Sequence, residues 1–387
     1  MSPLASFTRS VNWLMLASAG LLVMAGLVTM NSFLPAQVAG APNVFFQQQL
    51  VWFLISIAVF FGASLVDWRF LRTTPVVVTI FIASVVSLAL LFGLGTITMG
   101  ALSRFNLGVF FIQPSDPAKL ALVIILAKYF SRRHVEIAHI RHIFVSGVYA
   151  FIFFILLFIQ PDFGGAIVVF ALWLGMTLVS GLSKKHLALI FLTGAVAFGA
   201  LWGFVFQDYQ KDRIRTFVSP LTDIHGAGYN AYQSMVTVGA GQVLGRGIGF
   251  GTQSRLKFLP EYETDFIFAA FAEEWGFVGV LILTLCFVVL FGCILREARR
   301  GATNFETLFA VGVALMLAVP SIIHVGMNVG VLPVTGTVLP FVSYGGSHLV
   351  IEFLALGMLS GMRRYHRAAH REELGGEVAL LSGAQPR

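Results

Sequence analysis

Three carboxylates stand out in the stretch from Gly251 to Gly279. Asp265 sits where a polar, Pro-containing loop gives way to a long apolar run, and the adjacent acids Glu273 and Glu274 lie two turns further in. Charge at the edge of a membrane segment, or inside it, is costly, so such residues are functional candidates by default. A carboxylate held partly dry is suited to general base chemistry. A second cluster, Arg104 to Lys119, reads RFNLGVFFIQPSDPAK. Asp116 and Lys119 are three apart and share a helix face if a turn starts at Asp116. Arg104 and Lys119 are the types that receive a phosphate group. Lys211-Asp212-Arg213-Ile214-Arg215 adds further cations. Together these residues describe either a base beside an anion site or structural features: a salt bridge with snorkelling ends, a solvated charged run, and a buried polar network that holds loop to bundle.

Other polar features have simpler readings. The glycine series from Gly239 to Gly251 lacks the GxxxxGK[ST] ending of a nucleotide loop and reads as tight turns with close backbone packing. Asp162, Glu352, His324 and Asn328 are isolated in apolar runs. His324 and Asn328 share a helix face, where hydrogen bonding between helices is the expected role. Cys286 and Cys293, seven apart in one apolar run, stand roughly 10 Å apart in a helix, too far for a disulfide.

The elements that carry these residues follow from composition. Of 387 residues, 57% are hydrophobic and 11% charged, against about 25% charged in a soluble domain. The chain is therefore expected to be an all-α polytopic membrane protein. Ten runs suit spanning helices, at about 11–33, 47–66, 75–93, 117–131, 143–160, 163–181, 187–206, 266–295, 307–329 and 346–362. The first exceeds the about 7–15 apolar residues of a secretory leader, so it reads as a retained helix. The eighth is longer than a bilayer requires and has to tilt or begin outside the hydrocarbon. Residues 1–370 form one transmembrane domain, with a large extracytoplasmic loop, 207–265, between helices 7 and 8. Residues 371–387 read as a short disordered tail.

Charge sets the orientation. Every short segment on one side is basic, while loops 34–46, 161–162 and 330–345 carry no Lys or Arg. The positive-inside rule then puts both termini in the cytoplasm. The Lys and Arg left outside, Arg104, Lys119, Lys211, Arg213, Arg215, Arg246, Arg255 and Lys257, fall in two regions only, 94–119 and 207–265. The net charge of +7 is mostly this orientation signal, and the interleaved basic and aromatic segments of a nucleic-acid binder are absent.

Several ordered motifs resemble the SEDS family of membrane glycosyltransferases, the peptidoglycan polymerases RodA and FtsW. They are Gln113-Pro114-Ser115-Asp116 with Lys119; Gln160-Pro161-Asp162-Phe163-Gly164; Arg213-Ile214-Arg215-Thr216-Phe217; Gly228-Tyr229 with Gln233-Ser234; Leu259-Pro260-Glu261 through Thr264-Asp265-Phe266-Ile267-Phe268-Ala269; Glu273-Glu274; and Pro340 through Ser347. Gly251-Thr252-Gln253-Ser254 and Gly326-Met327-Asn328-Val329-Gly330 look more like the elongation member, RodA, than the division member. The resemblance implies polymerisation of lipid II, a disaccharide-pentapeptide on a polyprenyl diphosphate, at the outer face of the bacterial cytoplasmic membrane during elongation. It implies Asp265 as the catalytic aspartate. Arg104, Asp116, Lys119, Arg213, Arg215, Glu261, Thr264 and Ser343 are expected at the substrate. Asp162, Glu273 and Glu274 are expected in a polar network. A divalent cation, Mg²⁺ or Mn²⁺ with unknown ligands, is likewise implied. So are a class B penicillin-binding protein, a transpeptidase, and other cell-elongation proteins as partners. Two positions depart from the family pattern: Asp116 replaces the usual Glu, and Gly165 a frequent Thr. A lipid II flippase and a non-catalytic scaffold are the alternatives.

Overall fold

The computed structural model describes residues 11–32, 43–98, 101–106, 111–132, 140–204, 206, 211, 215, 217, 228–256 and 258–381, with 96–98, 101–104, 106 and 365–381 by backbone only. The helices are α1 (Trp13–Ser32), α2 (Val44–Leu65), α3 (Thr74–Leu94), α4 (Ser115–Ser131), α5 (Ile140–Ile159), α6 (Phe163–Val179), α7 (Lys184–Phe204), α8 (Tyr229–Ala240), the short α9 (Thr252–Arg255), α10 (Ile267–Arg299), α11 (Asn304–Asn328) and α12 (Gly346–Leu381). Each of the ten expected spans falls on one of them. Seven (α1, α2, α3, α5, α7, α10 and α11) are long and apolar enough to cross a membrane, and α6 is a shorter apolar helix. The chain is a polytopic helical membrane protein.

Three local outcomes differ from expectation. A small antiparallel sheet, β1 (Thr96–Thr98), β2 (Ala101–Asn106) and β3 (Phe111–Ile112) in that order, interrupts the all-α pattern. It occupies a connection outside the apolar runs, where Thr, Ile and Phe favour extended backbone. Helix α4 starts at Ser115, two residues before Pro117. Proline is still tolerated there, because the first turn has no intrahelical acceptors for its N–H groups. Helix α12 continues through residues 371–381, where a tail is expected. The stretch after Arg363 is rich in Ala, Arg and Glu, which are strong helix formers.

Packing follows the usual logic inside lipid, where small residues let backbones meet. Helix α12 lies against α2, α1 against α10, and α11 against α4, α6 and α10. On α12, Gly357 and Gly361 are four apart; a Cβ on them would come within 2.6 Å of the Phe60 carbonyl oxygen and 2.9 Å of that of Ala63. Helix α7 is the exception, with no buried residue.

The excess length of the eighth run is resolved by a break. Gly276 has φ 64° and ψ −169° inside α10, a region essentially reserved for glycine. The 23 residues from Phe277 to Arg299 then suffice to cross the bilayer, at about 1.5 Å each. The break separates the carbonyls of Glu273 and Glu274 from the amides of Phe277 and Val278. Loop 242–247 serves both sets. Arg246 N donates to Glu273 O (2.9 Å), Gly247 N to Glu274 O (3.0 Å), Phe277 N to Gln242 O (2.9 Å) and Val278 N to Val243 O (3.1 Å). Buried backbone groups need such partners.

The glycine series is therefore close packing. A Cβ at Gly241 would lie 1.9 Å from Ala272 O, one at Gly245 2.1 Å from Glu274 O, and one at Gly276 2.2 Å from Gly245 N. Gly276→Ala is expected to destabilise the fold by about 3 kcal/mol or more, combining backbone strain with a clash. Thermal unfolding of the detergent-solubilised protein checks it; an unchanged Tm would mean that the break is not built this way.

Candidate functional site

Four helices, α4, α6, α10 and α12, start around one cavity of about 500 Å³. Asp116 and Lys119 come from the first turns of α4, Asp162 from the cap of α6, and Glu261, Thr264 and Asp265 from the turn before α10. His348 and Glu352 come from α12, and Thr335, Gly336 and Thr337 from the segment after α11. Phe163, Val168, Met316, Leu317, Val338 and Ile351 make the rest of the lining largely apolar. The positive ends of helix dipoles favour negative charge. An elongated amphiphile suits this half-apolar arrangement.

Each charged side chain is held. Lys119 Nζ lies 3.1 Å from Asp116 Oδ1, with both side chains largely buried. Ser347 Oγ donates to Asp116 Oδ2 at 2.6 Å. Asp116 thus makes both contacts although it is one methylene shorter than the family's usual Glu. Asp162 caps α6, its Oδ1 accepting from Gly165 N at 2.8 Å. A Cβ at residue 165 would lie 2.5 Å from Asp162 Oδ2, so in this chain the glycine lets the aspartate fold over the helix end. Glu352 is buried and accepts from Phe341 N at 2.9 Å. Asp162 and Glu352 are also near enough to act electrostatically on Lys119.

Asp265 is half-buried at the cavity wall. Its turn is braced from below. Ser343 Oγ donates to Thr264 O (2.9 Å) and accepts from Leu339 N (2.8 Å). Tyr344 N donates to Glu263 O (2.8 Å). Gln49, buried on α2, ties down the same segment: its Nε2 donates to Ser343 O (3.2 Å) and its Oε1 accepts from Gly345 N (3.0 Å). Thr264 Oγ1 donates to Glu261 Oε2 at 3.2 Å. Burial, with Glu263 and Glu261 close by, pushes the Tyr262 hydroxyl up to about 12, so it stays a neutral donor.

The sequence candidates separate into groups. Asp265, Asp116, Lys119, Glu261, Thr264 and Asp162 line one cavity. Ser343, expected at the substrate, is fully buried and bonded to backbone. Glu273 lies away from the cavity; it accepts from Gln253 N (3.0 Å) and from Ser254 N (3.3 Å) and Oγ (3.0 Å), clasping α9 to α10. Glu274 accepts from Gly249 N at 2.8 Å. The side chain of Arg104 and all of Arg213 lie outside the described residues. Arg215 is exposed, and neither it nor Lys211 lines the cavity. Among the described residues Lys119 is the one Lys or Arg at the cavity. Both cysteines are free thiols.

His348 and Gln49 escaped the sequence reading. A usable signal exists for His348, which is four residues before Glu352 and shares its helix face. Gln49 ends a run of three glutamines at the start of an apolar helix, a polar group that burial forces into partnership.

Comparison with known proteins identifies the family. Residues 11–368 match the FtsW, RodA and SpoVE family, described as cell cycle proteins. The peptidoglycan glycosyltransferase MrdB of Escherichia coli (strain K12) is 36% identical over 288 residues, 74% of this chain and 78% of that protein. A chain from a solved peptidoglycan synthase complex, described as coordinating polymerization and crosslinking, superimposes with a TM-score of 0.78 at 29% identity, over 92% of this chain and 98% of that one. The rod shape determining protein RodA of Thermus thermophilus gives a TM-score of 0.67 at 27% identity, over 92% and 97%. With its motifs, its helical architecture and a match over nearly the whole chain, this protein belongs to the FtsW, RodA and SpoVE family.

Proposed function

We propose that this chain is a peptidoglycan glycosyltransferase that polymerises lipid II into glycan strands at the outer face of the bacterial cytoplasmic membrane, during elongation. Both termini are cytoplasmic. Asp265 takes the proton from the acceptor sugar hydroxyl, whose oxygen attacks the anomeric carbon of the donor with inversion. The anomeric C–O bond breaks and the polyprenyl diphosphate leaves. One base is enough, because a diphosphate leaving group needs charge neutralisation more than a proton. Lys119, held by Asp116, receives the diphosphate, with Arg104 and Arg213 as further candidates. Glu261 and Thr264 contact the sugar head group, and the lipid tail lies along the apolar wall. Ser343 keeps the Asp265 turn in register with that site.

The observation that carries this reading is the meeting of Asp265 with the Asp116–Lys119 pair in one half-apolar cavity. Similarity to proteins named peptidoglycan glycosyltransferases supports the activity. Likeness to a chain of a synthase complex supports a crosslinking partner, proposed as a class B penicillin-binding protein within a cell-elongation complex.

A divalent cation fits the hard oxygen donors of the cavity. Among the described residues no three acidic, His or Cys side chains converge to hold a metal alone. One or both of Asp162 and Glu261 would hold it together with the substrate's diphosphate, the usual mode for Mg²⁺, leaving Asp265 free to act as the base. Bound there, it neutralises diphosphate charge.

Purified protein with fluorescent lipid II, partner and Mg²⁺ or Mn²⁺ tests the function. Glycan polymer is expected. Translocation across liposomes without polymer would replace the reading by a flippase, and neither activity would leave a scaffold.

A further inference from the structure

We propose that Asn328 is the positioning residue for Asp265. This deepens the proposed reaction and rests on Asp265 acting as its base. Asn328 is the last residue of α11 and is fully buried. A carboxamide offers two N–H donors and two acceptor lone pairs, and here all four are engaged. Nδ2 donates to Asp265 O at 3.1 Å and to His324 O at 2.8 Å. Oδ1 accepts from Ala269 N at 3.1 Å and from Ser234 Oγ at 3.3 Å. The one proton of that hydroxyl is shared with the nearer backbone acceptor, Asn328 O, at 3.0 Å.

These four bonds reach α11 itself, the turn before α10, the first turn of α10, and α8. Ala269 is the third residue of α10, so its amide has no partner within the helix. Phe266, at the cap position, supplies no side-chain acceptor. Asn328 provides the cap from another helix and in doing so grips the peptide that carries Asp265. The side chain of Asp265 leaves that peptide toward the cavity, where its Oδ2 would stand 3.4 Å from a Cβ placed on Gly336. Losing one amide would free the turn at its Asp265 end, while Ser343 still holds Thr264. Lys119 and the apolar wall would be unaffected. The signature of this role is a loss in turnover with little loss in binding.

The experiment compares Asn328→Leu and Asn328→Ser with wild type. Leu keeps the volume without hydrogen bonds, and Ser is the smaller variant to use if Leu does not fold. Ser146→Ala, which removes the hydroxyl bonded to Trp173 Nε1 at 3.1 Å, serves as a stability control away from the cavity. Rates are expressed per folded molecule, from the monodisperse fraction. Either Asn328 variant is expected to lose at least about tenfold in kcat, with KM for lipid II within about twofold. Combined with Asp265→Asn, it should cause no further loss, because both act through one group. Three outcomes would overturn the proposal: kcat within about threefold of wild type, a loss confined to KM, or a further large drop in the double variant. Asp265→Asn alone separates the layers. If it retains activity, the base itself is wrong and this inference goes with it. If it is inactive while Asn328→Ser is fully active, only the positioning role fails.

Discussion

Asp265→Asn should abolish glycan polymerisation while leaving a folded protein. The substitution is isosteric and removes the charge and with it the ability to take a proton. General base catalysis contributes about 10²–10⁴-fold, so the initial rate should fall by at least about a hundredfold. Stability should change little, because the bond from Asn328 goes to the backbone carbonyl of Asp265, which the variant keeps. The rate of polymer formation from fluorescent lipid II, measured beside the thermal unfolding curve, decides it. A folded variant with a tenth or more of the wild-type rate would exclude Asp265 as the base.

Lys119→Met is the second large effect, and it acts on stability as well as on turnover. The ammonium neutralises Asp116 at 3.1 Å, with side-chain exposures of 15% and 6% for the two residues. Asp162 and Glu352 lie close enough to act on it too. Removing one member of a buried pair leaves the other charge uncompensated, at a cost of about 3–5 kcal/mol. Removing both together should cost far less. Asp116→Asn with Lys119→Met is therefore expected to recover most of the lost Tm. It should not recover polymerisation, because the proposed diphosphate site would still lack its cation. Return of both properties would reduce the pair to a structural ion pair, and return of neither would place Lys119 in a wider network than Asp116 alone.

The Gly276 break shows where local pattern stops being informative. The eighth run, 266–295, reads as one overlong helix, because the apolar stretch continues on both sides of Glu-Glu-Trp-Gly. A glycine within a helix is ordinary and carries no instruction to break. The instruction comes from loop 242–247, whose amides and carbonyls replace the hydrogen bonds that the break gives up. Likewise, Asn328 reads as a helix-to-helix contact from its spacing, which is what it makes. Its partners, Asp265, Ala269 and Ser234, are 59 to 94 positions away, beyond any periodic signal. The sheet at residues 96–112 was hidden for a related reason. Short strands outside the membrane follow local pairing, and hydropathy does not register it.

By itself the sequence determined the membrane class, the positions of the ten apolar runs and the motifs that carry Asp116, Lys119, Asp162 and Asp265. Those properties reside in single segments, since transfer to lipid and helix formation depend mainly on local residue types. The tertiary structure alone decided that these side chains share one cavity, that Ser343 and Gln49 brace the Asp265 turn while Glu273 clasps a loop elsewhere, and that α10 is interrupted. Each of these is a contact between segments far apart in the chain. They arise because buried polar groups must find partners, and which partner lies within reach is settled only when the helices pack.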